Sequence, residues 1–257
     1  MSEAEAHVVA ELETSQRRIV TTRDVADIIA AAPASQRARD VVALLRKHGW
    51  LRPLPLRGAY EFEPAVGGPF PSGNPWLELA VALERNPRVR AHVGLGSAAF
   101  VRRLADRRPT PDAVIWRADQ PVPPGLREVY RIVRCTANRF FGTSPIDEVP
   151  VAAVERIALE AAMWPRYAGD LRNAEHWLRN VLHRVDPEAV SASARQLGPA
   201  VTGRLGYLAQ AFDASDVASA LSPLPHAGPM WLGRRTASVK NYDSAWGVYD
   251  TIGVAAN

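Results

Sequence analysis

Cysteine is almost missing from this chain: Cys135 is the only one in 257 residues. Neither an intramolecular disulfide nor a multi-thiolate zinc site can be built from it. It lies in the apolar run 129–135, where a small buried hydrophobe is expected rather than a nucleophile. Lysine is nearly as scarce, since Lys47 and Lys240 are the only two among 31 basic residues. Arginine therefore carries the positive charge, and the net charge of +4 with a pI near 9.6 suits nucleic-acid binding without requiring it. No stretch approaches the roughly 18 uninterrupted apolar residues of a membrane helix, and the start (Ser2, Glu3, Ala4, Glu5) is acidic where a signal peptide would be basic, so a cytoplasmic protein is expected. A Walker loop, a GxSxG elbow, an HExxH pair and a glycine-rich dinucleotide loop are all absent, which leaves no enzyme class and no cofactor to expect.

What is present divides in two. The segment 64–75 reads PAVGGPFPSGNP, too rich in Pro and Gly to continue a helix or a central strand. It predicts a linker over 66–75 between an N-terminal domain, 1–65, and a larger mixed domain, 76–257. Before the break, 4–16 is helix-forming. Thr22 then precedes Val25, Ile28 and Ile29 on one face of a short helix, with Thr22 as its expected cap. A turn around Pro33 follows, and Ser35 is expected to cap a second helix whose inner face is Ala38, Val41, Val42 and Leu45. Leu54 and Leu56, the turn Arg57-Gly58-Ala59, and then Tyr60 and Phe62 read as a small hairpin. Helix, turn, helix and hairpin in that order predict an α+β fold with an N-terminal winged helix-turn-helix.

A helix that enters a major groove needs polar and cationic side chains in its first turns. Ser35, Gln36, Arg37 and Arg39 meet that need; Gln36 can pair with adenine, Arg37 with guanine, and Arg39 with a base or a phosphate. From 17 to 57 the bases are Arg17, Arg18, Arg23, Arg37, Arg39, Arg46, Lys47, Arg52 and Arg57, against only Asp24, Asp27 and Asp40. That local surplus exceeds the charge of the whole chain, so positive charge is concentrated where the motif is. Arg57 at the hairpin tip is placed for a minor groove or a phosphate, and Thr21 and Thr22 at a helix start for a phosphate. Such a module also serves elsewhere as a protein-docking unit.

Beyond the linker, helices are expected near 76–85, 96–106, 151–163, 170–185, 187–197 and 200–212, with strands at 112–118 and 128–135 and short strands from 230 to 254. Helix 170–185 buries Leu171, Ala174, Leu178, Val181, Leu182 and Val185, leaving Arg172, Glu175, His176, Arg179 and His183 on its polar side. His176 and His183 are too far apart for the i,i+4 metal pair, so no metal is expected. Arg166, Arg172, Arg179 and Arg184 could form a second basic surface. Pro111-Asp112 before an apolar run resembles the start of a PD-(D/E)xK nuclease site, but neither lysine has an acid two residues before it. Glu155 and Glu160 read as surface charge beside Arg156.

Several stretches together resemble the AbiEi family of bacterial antitoxins: GLGSAAF at 94–100 running on to LADRRP at 104–109, VPV at 149–151 leading to VERIAL at 154–159, PRYAG at 165–169, and RLGYL at 204–208. The resemblance covers most of the chain in the order expected for that family, although arginine here takes the place of a more lysine-rich surface. It implies the antitoxin of a type IV toxin-antitoxin pair. Its winged domain would repress the operon at inverted repeats of operator DNA, and its C-terminal domain would counter a nucleotidyltransferase-like toxin, without a stable complex. The alternative is a transcriptional regulator whose C-terminal domain senses a ligand or docks a partner.

Overall fold

Helix α1 (Glu3–Ser15) begins where Ser2 and Glu5 cap each other: Ser2 Oγ accepts the Glu5 N–H, and the Glu5 carboxylate accepts the Ser2 N–H. A computed structural model describes residues 1–31, 37–64, 74–147, 149–169, 171, 174–235 and 237–254. It has two compact units, one made of 1–89 with 122–129, the other of 90–121 with 130–257. The expected linker at 66–75 is thus not where the units divide; 65–73 lies outside the described residues, and α4 (Leu77–Arg85) stays with the first unit.

In the first unit, β1 (Ile19–Thr21) leads directly into α2 (Thr22–Ala30). The cap of α2 is Thr21, one residue before the expected Thr22. Thr21 Oγ1 accepts the Asp24 N–H at 3.1 Å, and Asp24 returns the bond to the Thr21 N–H at 2.7 Å. Only Thr21 has the extended backbone and an acid three residues ahead, so the reciprocal pair forms there. α3 (Ala38–Lys47) starts from Arg37, which makes no side-chain capping bond; Ser35 and Gln36 lie outside the described residues. β2 (Leu51–Pro53) and β3 (Ala59–Phe62) complete an antiparallel sheet in the order β1-β3-β2, with Val20 opposite Tyr60 and Arg52 opposite Glu61. Val8, Leu12, Val25, Val41, Leu45 and Phe62 form its core. Burial of each such large side chain stabilises by about 2 kcal/mol. The connecting helix α6 (Pro124–Val129) also belongs to this unit.

The second unit holds a five-stranded sheet in the order β6-β5-β4-β8-β7. Its strands are β4 (Ala91–Val93), β5 (Ala113–Arg117), β6 (Arg131–Cys135), β7 (Thr143–Ile146) and β8 (Val149–Ala152). β5 pairs antiparallel with β4 and parallel with β6. The expected strand 128–135 therefore begins three residues late, because α6 runs to Val129. Helix α5 (Leu95–Val101) is shorter than the expected 96–106: Arg103 takes a left-handed φ of 59°, which ends it. α7 (Val154–Met163) packs against α5 and against α10 (Pro199–Ala211), which in turn contacts α9 (Pro187–Leu197) and α11 (Ser215–Leu221). The expected helix 170–185 is a π-helical turn, Glu175–Arg179, running into the short α8 (Asn180–Leu182). Its apolar positions Leu171, Ala174, Leu178, Val181, Leu182 and Val185 are all buried as expected.

A second small sheet, β9 (Met230–Leu232), β10 (Asn241–Asp243) and β11 (Val248–Asp250), has the order β10-β11-β9. It can approach α10 closely because α10 carries glycine at two contact points. A Cβ on Gly206 would stand 2.2 Å from the Trp246 ring, and one on Gly203 would stand 2.5 Å from Met230 Cε. Gly206→Ala is expected to lower stability by about 1–2 kcal/mol in chemical denaturation, despite the better helix propensity of alanine, because the ring must move. A variant as stable as the parent would show that the α10–Trp246 contact is loose.

Candidate nucleic-acid interface

α3 is two-faced. Val41, Val42 and Leu45 are buried, while Arg39, Ala43, Arg46 and Lys47 are exposed at i, i+4, i+7 and i+8, a single stripe with one small residue at its middle. Arg37 is exposed at the helix start. Of the nine basic residues between 17 and 57, three are neutralised locally: Arg17 by Asp24 at 3.2 Å, Arg23 by Asp27 at 3.9 Å, and Arg52 by Glu61 and Glu63. Arg18, Arg37, Arg39, Arg46, Lys47 and Arg57 have no ion pair among the described residues. They are the cations left for an outside anion.

The two expected threonines differ. The Thr21 hydroxyl donates to Asp24 Oδ2 at 2.7 Å and is already engaged in capping. The Thr22 N–H donates to the Gly58 carbonyl at 3.3 Å, which ties the start of α2 to the β2–β3 turn. That turn needs glycine, because Gly58 has φ +66°. It is also held by a residue that sequence reasoning missed. Arg85, at the end of α4, donates from Nη1 to the Arg57 carbonyl at 2.9 Å and from Nη2 to the Gly58 carbonyl at 2.8 Å. Two adjacent carbonyls match the guanidinium fork, so the turn is fixed while the Arg57 side chain stays exposed. Nothing local to 77–87 signals this grip, which spans 27 residues.

In the second unit, the Glu155/Glu160 surface reading is corrected for Glu160, and so is the exposed placement of Arg156. Both are fully buried with His92. Glu160 Oε1 lies 2.7 Å from His92 Nε2 and accepts from Arg156 Nε at 2.9 Å, and Oε2 accepts the Leu95 N–H at 2.8 Å. Burial pushes the Glu160 carboxyl up, but the attraction and hydrogen bond of His92, the Arg156 charge and the Leu95 N–H outweigh it and hold the group below its ordinary value. Gly94 makes room for this: a Cβ there would meet Glu160 Oε2 at 2.5 Å. The Arg156 guanidinium also lies over the rings of Phe141 and Trp164. α7 looks amphipathic only in isolation, since His92 of β4, the start of α5 and the rings of Phe141 and Trp164 meet the side that Arg156 and Glu160 occupy.

Cys135 is buried as expected, and burial pushes its thiol up. Asp112 is buried and paired with Arg108 rather than set in a nuclease-like site. Among the described residues no group of three His, Cys, Asp or Glu is placed to hold a metal. Of the suggested second basic surface, Arg179 pairs with Asp213 at 3.2 Å, Arg166 lies over the Tyr167 ring, Arg184 is exposed, and Arg172 lies outside the described residues. No described helix is long and apolar enough to cross a membrane. A cleft of about 190 Å³ opens in this unit beside Ser97, Arg131, Tyr167 and Trp177.

The chain is an α+β protein of helices and several separate sheets, and a solved structure shares that arrangement. The crystal structure of RV2827C protein from Mycobacterium tuberculosis superposes with a TM-score of 0.82 over 100% of this chain and 94% of that chain, at 18% identity. No family model and no curated protein matches the chain.

Proposed function

We propose that this protein is a DNA-binding antitoxin of a type IV toxin-antitoxin system. Its first unit acts as a winged helix-turn-helix that represses the operon at inverted repeats, and its second unit counters a nucleotidyltransferase-like toxin in the cytoplasm. The observation that carries the DNA-binding half is the exposed stripe of α3, with Arg39, Arg46 and Lys47 free of acids and Arg37 at its start. The element order α1-β1-α2-α3-β2-β3 around it supports the same reading, because a groove-reading helix next to a hairpin is how such modules dock. Gln36, outside the described residues, and Arg37 are the proposed base readers, Arg39 contacts a base or a phosphate, and Arg18, Arg46, Lys47 and Arg57 are the phosphate contacts. The antitoxin half is supported by the family resemblance, whose stretches fall on α5, α7 and α10.

Full-length protein is expected to bind a duplex from upstream of its own gene. In fluorescence anisotropy, Arg46→Ala with Lys47→Ala should weaken binding and lower the slope of log affinity against log salt by about 1 for each phosphate that is no longer neutralised. An unchanged slope would remove these residues from the interface. The same double variant should still protect cells that co-express the neighbouring nucleotidyltransferase gene; failure of the parent protein to protect them would end the antitoxin reading. The cleft beside Arg131 and Trp177 favours the second reading, a ligand-sensing regulator, in that event.

A further inference from the structure

The outward face of the small sheet carries an aromatic row. Tyr242 on β10, Tyr249 on β11 and Trp231 on β9 are in direct register across the three strands. The Trp231 and Tyr249 rings stack with centroids 4.8 Å apart, and the Tyr249 and Tyr242 centroids are 4.6 Å apart. The opposite face, with Met230, Leu232, Val248 and Asp250, is buried. Alternation along the strands therefore sends the three rings outward. Each ring face inside the row is covered by a neighbour, but the row ends on edge strands, so among the described residues the outer face of Tyr242 has no ring against it. Tyr242 is 49% exposed, and Val239 just before it is 43% exposed; besides Met1 these are the exposed large hydrophobics of the described chain.

Charge around the row is of one sign. Lys240 lies two residues before Tyr242, just ahead of β10, and its N–H ties it to the sheet by donating to the Asp250 carbonyl at 2.7 Å. Gly233 follows β9 and Thr251 follows β11 at that same end, where the Thr251 N–H donates to the Leu232 carbonyl at 3.1 Å, and Arg234 and Arg235 follow Gly233. All three cations are exposed and have no ion pair among the described residues. The acids of the sheet are turned away and engaged. Asp250 accepts from Tyr207 Oη and from the N–H groups of Ile252, Gly253 and Val254, and Asp243 accepts from the Trp246 N–H and from Gln210.

We propose that this face binds a single-stranded polynucleotide, with an unpaired base stacked on the open side of Tyr242 and the phosphates along Lys240, Arg234 and Arg235. An open aromatic face beside unpaired cations meets both parts of a nucleotide at once. A duplex hides its base faces, so this surface is distinct from the α3 interface and independent of the function proposed above. A second copy of the chain would bring its own unpaired cations against these, which disfavours self-association.

The test is anisotropy of full-length protein with labelled oligo(U) and oligo(dT) of roughly 12 nucleotides. Saturable binding is expected, with Tyr242→Ala weakening it by about tenfold or more while Tyr242→Phe retains it. Lys240→Gln should lower the salt slope by about 0.7, the single-strand value for one phosphate. Preference for oligo(U) would assign RNA, and equal binding would assign any single strand. Duplex binding should be untouched by Tyr242→Ala. The proposal is overturned if neither oligomer binds saturably or if Tyr242→Ala binds as well as the parent. It is overturned equally if sedimentation shows self-association that Tyr242→Ala abolishes, with no oligomer bound.

Discussion

Glu160→Ala is expected to cost about 3–5 kcal/mol of unfolding free energy, because it removes one side of a fully buried charge cluster and leaves the other side without compensation. Arg156 would keep its place between Phe141 and Trp164, and the Leu95 N–H would lose its acceptor at the start of α5. Removal of the whole cluster, His92→Leu with Arg156→Met and Glu160→Met, should cost less than the single change, since no ion is then stranded. If chemical denaturation puts the single variant within about 1 kcal/mol of the parent, the cluster is not the constraint that its burial suggests. The pH dependence has a definite sign. The folded carboxyl titrates below its ordinary value of 4.5. Its contribution is therefore complete above that value and is lost as pH falls from there through the folded value. The stability gap between the parent and Glu160→Gln should accordingly be constant near neutrality and narrow in acid.

This cluster also marks where sequence reading stops. Arg156 and Glu160 are four residues apart on a helix, which by spacing alone is an exposed pair, and a window over 154–163 contains no sign that His92, Leu95 and Phe141 close over it. α3 was legible for the opposite reason: its Val41, Val42 and Leu45 lie on one side and its cations on the other, and nothing described covers the second side. α9 matched its expected limits of 187–197 because Pro187 at its first turn and Gly198 after its last are strong local stops. Three-residue strands such as β4 and β9 offer no period to read, and they exist only through their partners. The candidate interface was readable in its charges and unreadable in its bracing. The Arg85 grip on the β2–β3 turn and the place of α6 both depend on residues far apart in sequence.

α6 gives the second large expected effect. A Cβ at Gly125 would stand 1.6 Å from the Pro55 carbonyl oxygen and 2.6 Å from its carbon, and the obstacle is backbone rather than a side chain that can swing aside. Gly125→Ala should therefore lower stability by about 3 kcal/mol, the upper end for overpacking. Gly49→Ala in the same unit is the matched comparison. Gly49 has φ +82° with nothing within 4 Å of a new Cβ, so it isolates conformational strain, worth about 1 kcal/mol. The clash also has a direction. Gly58 and Arg57 are held through their carbonyls by Arg85, so a displaced Pro55 bends the turn between that grip and β2, and the exposed Arg57 moves with it. Under the proposed function, Gly125→Ala should weaken duplex binding even at temperatures where the protein is fully folded, whereas Gly49→Ala should leave it unchanged. Equal stability of the two variants would mean that α6 and the hairpin yield freely to one another. In that case α6 would not brace the hairpin.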